Sequence, residues 1–140
     1  MKLYIFDTDI MGFAFQQHPR VLSRIKALAA DEFVATTIIT FGEDLSGWLP
    51  ACRRATDGAS REKAYARLLR GFVFYQKFSC LPFNDAAAAI FDDLKSQKVR
   101  IGTNDLSIAA ITLSVNGILV TRNTKDYQQV PNLTFEDWTV

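Results

Sequence analysis

Short, unbroken apolar runs that alternate with helix-like segments constrain this chain most. Residues 3–6 (LYIF), 33–39 (FVATTII) and 118–121 (ILVT) are bulky and β-branched and read as strands. Residues 78–81 and 133–135 read as shorter ones. Between them lie stretches of helical spacing: 10–16 and 19–30, broken at His18-Pro19, then 40–54, 60–77, a helix from Asn84-Asp85 to about 97, and one from Asn104-Asp105 to the stop at Asn116-Gly117. A single turn covers 124–129. Strands that are apolar at consecutive positions are buried on both faces, which suits a parallel sheet covered by helices. The pattern predicts an α/β fold with a mostly parallel sheet between helical layers. No repeat or linker interrupts it, and 140 residues suit one domain over 1–140.

In such a sheet, ligands bind beyond the carboxyl ends of the strands. Asp7 and Asp9 follow the first strand, Glu43 lies four residues beyond the second, and Asn123 and Asp126 follow the strand at 118–121. With right-handed crossovers these turns share one edge. Glu43 is expected on the first turn of its helix. Asp105 joins the group if its own helix starts at the same edge. Each acid also has a purely structural use. Asp7 and Asp9 suit a turn or a helix N-cap, Thr40 to Glu43 has the spacing of a capping box, and Asn104 and Asp105 suit cap positions.

Composition narrows the chemistry. His18 is the only histidine, and Cys52 and Cys80 have no metal-ligand or disulfide-scaffold spacing. A single histidine argues against a His-based metal site and a Ser–His triad, which leaves carboxylates, hydroxyls and basic residues to carry any chemistry. Two carboxylates ~4 Å apart repel by ~4 kcal/mol at an effective dielectric near 20. A group of them persists if some are protonated or a divalent cation neutralises them. Oxygen donors alone favour Mg2+ or Mn2+, whose retained waters and charge suit phosphodiester hydrolysis. No apolar run approaches the ~20 residues of a membrane span, and the first residues do not read as a signal peptide. A reduced, cytoplasmic setting is expected.

Four motifs then carry a resemblance. Ile5-Phe6-Asp7-Thr8-Asp9-Ile10 resembles the opening of PIN-domain nucleases, including the VapC-type toxins among them. Thr37-Ile38-Ile39-Thr40-Phe41-Gly42-Glu43, with Gly47 beyond, is similar to their second motif. Ile101-Gly102-Thr103-Asn104-Asp105-Leu106-Ser107-Ile108-Ala109-Ala110 resembles the third, and Leu119-Val120-Thr121-Arg122-Asn123-Thr124-Lys125-Asp126-Tyr127 the C-terminal pattern. The resemblance spans essentially the whole chain. It implies a three-layer α/β/α fold on a five-stranded sheet and a Mg2+- or Mn2+-dependent endoribonuclease. It assigns the metal to Asp7, Glu43 and Asp105, with Asp126 or Asn123 completing the site. It further implies an RNA substrate, a small antitoxin as partner and, commonly, a homodimer. Two positions depart from the pattern: Asp9 stands where Asn is usual, and Asp44 where an apolar residue follows the acid. Gly47 keeps the register that points Glu43 inward.

Around these acids, Thr8, Asp9, Asn104, Thr121 and Asn123 are expected to support the carboxylates. Arg100, Arg122 and Lys125 are expected to meet RNA phosphates. Residues 51–77 hold seven basic side chains against two acidic ones, interleaved with Tyr65, Leu68, Leu69 and Phe72 at helical spacing. That face suits either a solvated helix or a groove for the antitoxin or for RNA. The eleven Phe exceed what a small core needs, so some are expected to face a partner. The alternatives are a housekeeping RNA-processing PIN nuclease, an inactive interaction module, and a haloacid-dehalogenase-like phosphatase. The phosphatase shares an Asp-x-Asp opening but needs a lysine and a later acidic pair.

Overall fold

The computed structural model describes residues 1–140. Five strands, β1 (Lys2–Phe6), β2 (Glu32–Thr37), β3 (Ser79–Leu81), β4 (Ile118–Val120) and β5 (Thr134–Glu136), form one sheet in the order β3-β2-β1-β4-β5. Every neighbouring pair is parallel. The helices are α1 (Thr8–Phe15), α2 (Pro19–Lys26), α3 (Ile38–Arg54), α4 (Gly58–Tyr75), α5 (Asp85–Ser96), α6 (Thr103–Ser114) and the single turn α7 (Thr124–Tyr127). The sequence reading of a mostly parallel α/β sheet holds, and all five strands run the same way.

Side chains alternate across a strand, and β1 uses both faces. Tyr4 and Phe6 join Ile10, Met11, Val21, Tyr75 and Trp138 in one core. Ile5 points the other way, into Leu94, Leu106, Ile108, Leu119 and Tyr127. Val120 and Leu119 divide in the same manner on β4. A strand with no polar side is thus explained by a helical layer on each face. α6 is the most enclosed helix, buried from Leu106 through Thr112.

The chain enters the sheet at its centre, builds outward through β2 and β3, then crosses back to place β4 on the other side of β1. That reversal opens a crevice beyond the carboxyl ends of β1 and β4. The two strands are tied there by the Asp7 N–H, which donates to the Val120 carbonyl at 3.2 Å. At the opposite end, Asn116 ends the α6 turn with φ 52°. A Cβ on Gly117 would lie 2.5 Å from Ile5 Cδ1 and 3.2 Å from the Leu3 carbonyl, so a side chain here would force Ile5 and the β1 backbone to give way where the chain enters β4.

Three local expectations are corrected. The β-branched run 33–39 is strand only to Thr37; Ile38 and Ile39 already belong to α3. The reason is the cap: the Thr37 hydroxyl accepts from the Thr40 N–H at 3.0 Å and donates to the Thr40 hydroxyl at 3.1 Å. No capping box forms between Thr40 and Glu43, and Glu43 falls on the second turn of α3 rather than the first. Asn104 and Asp105 do not cap α6. Gly102 occupies that position and has no side chain to cap with. Both cysteines are free, Cys52 buried and Cys80 exposed.

Candidate active site

Beyond the carboxyl edge lies a pocket of about 490 Å3 lined by Asp7, Thr8, Asp9, Glu43, Asp105, Arg122 and Asn123, with no apolar residue among them. Asp7 and Asp9 come from the start of α1, Glu43 from α3, Asp105 from the first turn of α6, and Arg122 and Asn123 from the turn after β4. α6 therefore starts at the site edge, which the sequence left open.

Asp7 is nearly buried, at 6% exposure. It is also the N-cap of α1, with Oδ1 accepting from the Ile10 N–H at 3.0 Å. Oδ2 accepts from the Thr121 hydroxyl at 2.5 Å, and Thr121 Oγ1 in turn accepts from the Asn123 N–H at 2.9 Å. The cap and the site-acid readings of Asp7 are thus both met by one side chain. Glu43 Oε1 accepts from the Thr8 hydroxyl at 2.6 Å. Asp105 has only a long contact, 3.5 Å from Asn123 Nδ2, and the same amide nitrogen donates to Asp126 at 3.0 Å. Asn123 therefore joins Asp105 to Asp126, and Asp126 stands behind it rather than lining the pocket.

Burial dominates the electrostatics. It pushes the Asp7 carboxyl up to about 7, with Asp9 and Asp105 adding repulsion against the bonds from Thr121 and Ile10. Burial also raises Asp105, the Tyr127 hydroxyl pulls it down, and Glu43, Asp126 and Asp9 raise it further. No cation is paired with any of these acids; the ion pair in the chain is Arg24 with Glu136, at 3.1 Å. Asp44 does not line this pocket but an adjoining depression shared with Thr8, Asp9 and Arg122. It takes the Tyr75 hydroxyl and is raised by burial, against the pull of that bond and of Arg67.

The other expected contributors separate. Of the three basic residues expected beside the acids, Arg122 lines the pocket, its guanidinium 5.5 Å from the Phe13 ring centre. Arg100 and Lys125 are exposed and lie outside it, because one precedes α6 by a loop and the other follows on α7. Asn104 is exposed and makes no side-chain bond to a carboxylate, being on the outer side of the α6 first turn. Lys125 outside the pocket also leaves the phosphatase alternative without its lysine. Tyr127 was not singled out from the sequence. It is fully buried beneath Asp105, and the signal was an aromatic hydroxyl directly after Asp126.

These residues suit a divalent cation by donor chemistry. All are oxygen donors, the acids lack counter-charges, and the strained protonation of Asp7 and Asp105 is what a cation relieves. As the side chains stand, no three of them are grouped closely enough to ligate one ion together. An open set of carboxylates matches Mg2+ or Mn2+, which keep several waters, better than a fully protein-held ion.

Tyr65, Leu68, Leu69 and Phe72 also come together. With Phe41, Leu45 and Trp48 they line a wholly apolar groove of about 390 Å3 between α3 and α4. No helix is long and apolar enough to cross a membrane.

The family model described as PIN domain matches residues 4–133. The chain is 28% identical over 138 residues to Ribonuclease VapC1 of Haemophilus influenzae strain R2866, covering 98% of both chains. It is 26% identical over 141 residues to Ribonuclease VapC2 of Rickettsia felis, covering 97% of this chain and 98% of that one. Among solved structures, VapBC-1 from nontypeable Haemophilus influenzae superposes with a TM-score of 0.78 at 24% identity, over 99% of both chains. VapBC2 from Rickettsia felis, bound to a DNA fragment from its promoter, gives 0.75 at 25% identity over 97% and 98%.

Proposed function

This chain belongs to the PIN domain family, and on that premise we propose that it is the ribonuclease toxin of a toxin–antitoxin pair, cleaving RNA phosphodiesters in the acidic pocket. The observation that carries this reading is the pocket itself: Asp7, Asp9, Glu43 and Asp105 around one space, with a single arginine and no apolar wall. Full-length relatives bearing the name ribonuclease support the reaction class. Structural neighbours that are VapBC complexes support the partner.

In this reading Asp7, Glu43 and Asp105 hold Mg2+ or Mn2+. When bound, the ion supplies charge for the phosphate and acidity for a water. The chain's own groups do the rest. Thr121 and the Ile10 N–H fix Asp7, and Thr8 fixes Glu43, so these two carboxylates are held before substrate arrives. Arg122, exposed at the mouth, meets a phosphate oxygen of the RNA and sets its register without reading sequence. Asn123 holds Asp126 and Asp105 in one hydrogen-bonded line, so Asp126 adds negative charge behind the site.

The toxin reading is preferred to an RNA-processing nuclease because of the apolar groove. An antitoxin needs a docking surface, and the seven side chains of the α3–α4 groove provide one. The decisive experiment is Asp105→Asn. Mn2+-dependent RNA cleavage is expected to fall at least a hundredfold with an unchanged far-UV circular dichroism spectrum. Cleavage at the parent rate would sink the assignment.

A further inference from the structure

Two buried side-chain donors in this fold have no hydrogen-bond partner, Arg67 Nη1 and the Tyr127 hydroxyl. The guanidinium of Arg67 lies over the Phe15 and Trp48 rings, 4.7 and 5.1 Å from their centres, so its face is occupied. Tyr127 has no such compensation. The residue is fully buried, packed in the core with Ile5, Leu106 and Leu119. A phenylalanine would fill the same volume without stranding a hydroxyl, and stranded buried donors in native structures call for an explanation.

The acceptor side shows the matching deficit. Asp7 is held by two bonds and Glu43 by a short one, whereas Asp105 has only the 3.5 Å contact from Asn123. The Tyr127 hydroxyl stands near enough to Asp105 to pull that carboxyl down against its burial, yet no hydrogen bond of ordinary geometry joins the two. A buried donor and a weakly held acceptor thus face each other without being aligned, at the junction of α6 and α7.

We propose that Tyr127 is a positioning residue for Asp105: its core-anchored hydroxyl donates to one carboxylate oxygen and so turns the other into the pocket. The donor is rigid because the ring is packed on every side. It fixes the carboxylate when that side chain swings to receive a cation, and the alignment is made in that state. This rests on the metal-holding role proposed for Asp105. It accounts for a buried hydroxyl that forms no hydrogen bond of ordinary geometry in the unliganded fold.

The test compares Tyr127→Phe with Asp105→Asn in two measurements that need no RNA. With cations chelated, urea unfolding of Tyr127→Phe is expected to match or exceed the parent. Direct Mn2+ titration by calorimetry is expected to show roughly 10- to 100-fold weaker binding for Tyr127→Phe, the usual effect of removing a partner of a metal ligand. Parent-like Mn2+ affinity in Tyr127→Phe, with affinity lost in Asp105→Asn, would overturn the proposal and leave the metal site standing. A loss of urea stability in Tyr127→Phe would overturn it too, by making the hydroxyl a fold contact. No Mn2+ binding by the parent would remove the metal reading and this proposal together.

Discussion

Asp7 is asked to do two things that conflict. As the N-cap of α1 it is best ionised, yet its burial and the nearby Asp9 and Asp105 carboxylates push its pKa up to about 7 from 3.8. The unfolded chain loses this proton near pH 4 and the folded chain keeps it until near 7. Stability therefore falls as pH rises through that window, by a total on the order of 4 kcal/mol. Asp105 and Asp44, also raised, act in the same direction. Glu32 and Asp57 are lowered instead, so their effect lies at more acidic pH and does not mask this one. With cations chelated, the urea midpoint is expected to be higher at pH 5.5 than at pH 8, and Asp7→Asn is expected to remove most of that difference. Added Mn2+ should restore stability chiefly at pH 8, where the acids are charged. A midpoint that rises with pH would show that Asp7 is ionised in the folded chain at both values.

Helices α3 and α4 meet through one glycine. A Cβ at Gly71 would lie 2.3 Å from the Trp48 ring, whereas one at Gly47, on α3, would meet nothing within 4 Å. Gly→Ala in a helix interior ordinarily stabilises by ~1 kcal/mol. Gly47→Ala is expected to show that gain, and Gly71→Ala the opposite sign, about 1–3 kcal/mol lost to overpacking. Urea denaturation of the two variants measures both, and a gain in Gly71→Ala would mean that Trp48 moves freely. At this scale the sequence was informative about which segments form and less so about where they end. Residues 33–39 look like strand throughout because Ile38 and Ile39 are β-branched, but the Thr37 cap outweighs their propensity and starts α3 early. The same shift frees Glu43 from a capping role and turns it to the pocket. Asp7 and Arg122 could be placed from the strands they follow. Asp105 could not, because α6 follows another helix rather than a strand, and only the resemblance of its motif brought it to the site. Tyr127 was hidden because an aromatic in a buried turn looks like core, and its function lies in one oxygen.

Across the whole molecule, charge and apolarity are segregated. The formal net charge of +1 joins 16 basic and 15 acidic side chains, but unpaired acids gather at the carboxyl edge and basic residues along α3 and α4. A bulk charge near zero therefore says little about a polyanionic substrate. The apolar groove lies on the basic side, and α4 presents Tyr65, Leu69, Phe72 and Val73 outward, each at least 45% exposed. Leu69 is the ridge between two depressions, this groove and a second one bounded by Phe15, Leu22 and Phe74 of α1, α2 and α4. Exposed apolar side chains in contiguous sets mark interaction surfaces. In the toxin reading, an antitoxin segment with apolar anchors and acidic flanks fits here, the acids meeting Arg61 and Arg70. Leu69→Asp places a charge at the centre of that contact. Since Leu69 is 60% exposed, its replacement is expected to change folding stability by no more than about 0.5 kcal/mol. Burying an unpaired carboxylate in the complex is expected to weaken antitoxin binding at least a hundredfold. Calorimetric titration of the purified variant with its antitoxin measures this directly, alongside a urea curve of the variant alone. Parent-like affinity would move the antitoxin off α4 and remove the groove as the reason for preferring a toxin to a housekeeping nuclease, while the acidic pocket would still argue for RNA cleavage.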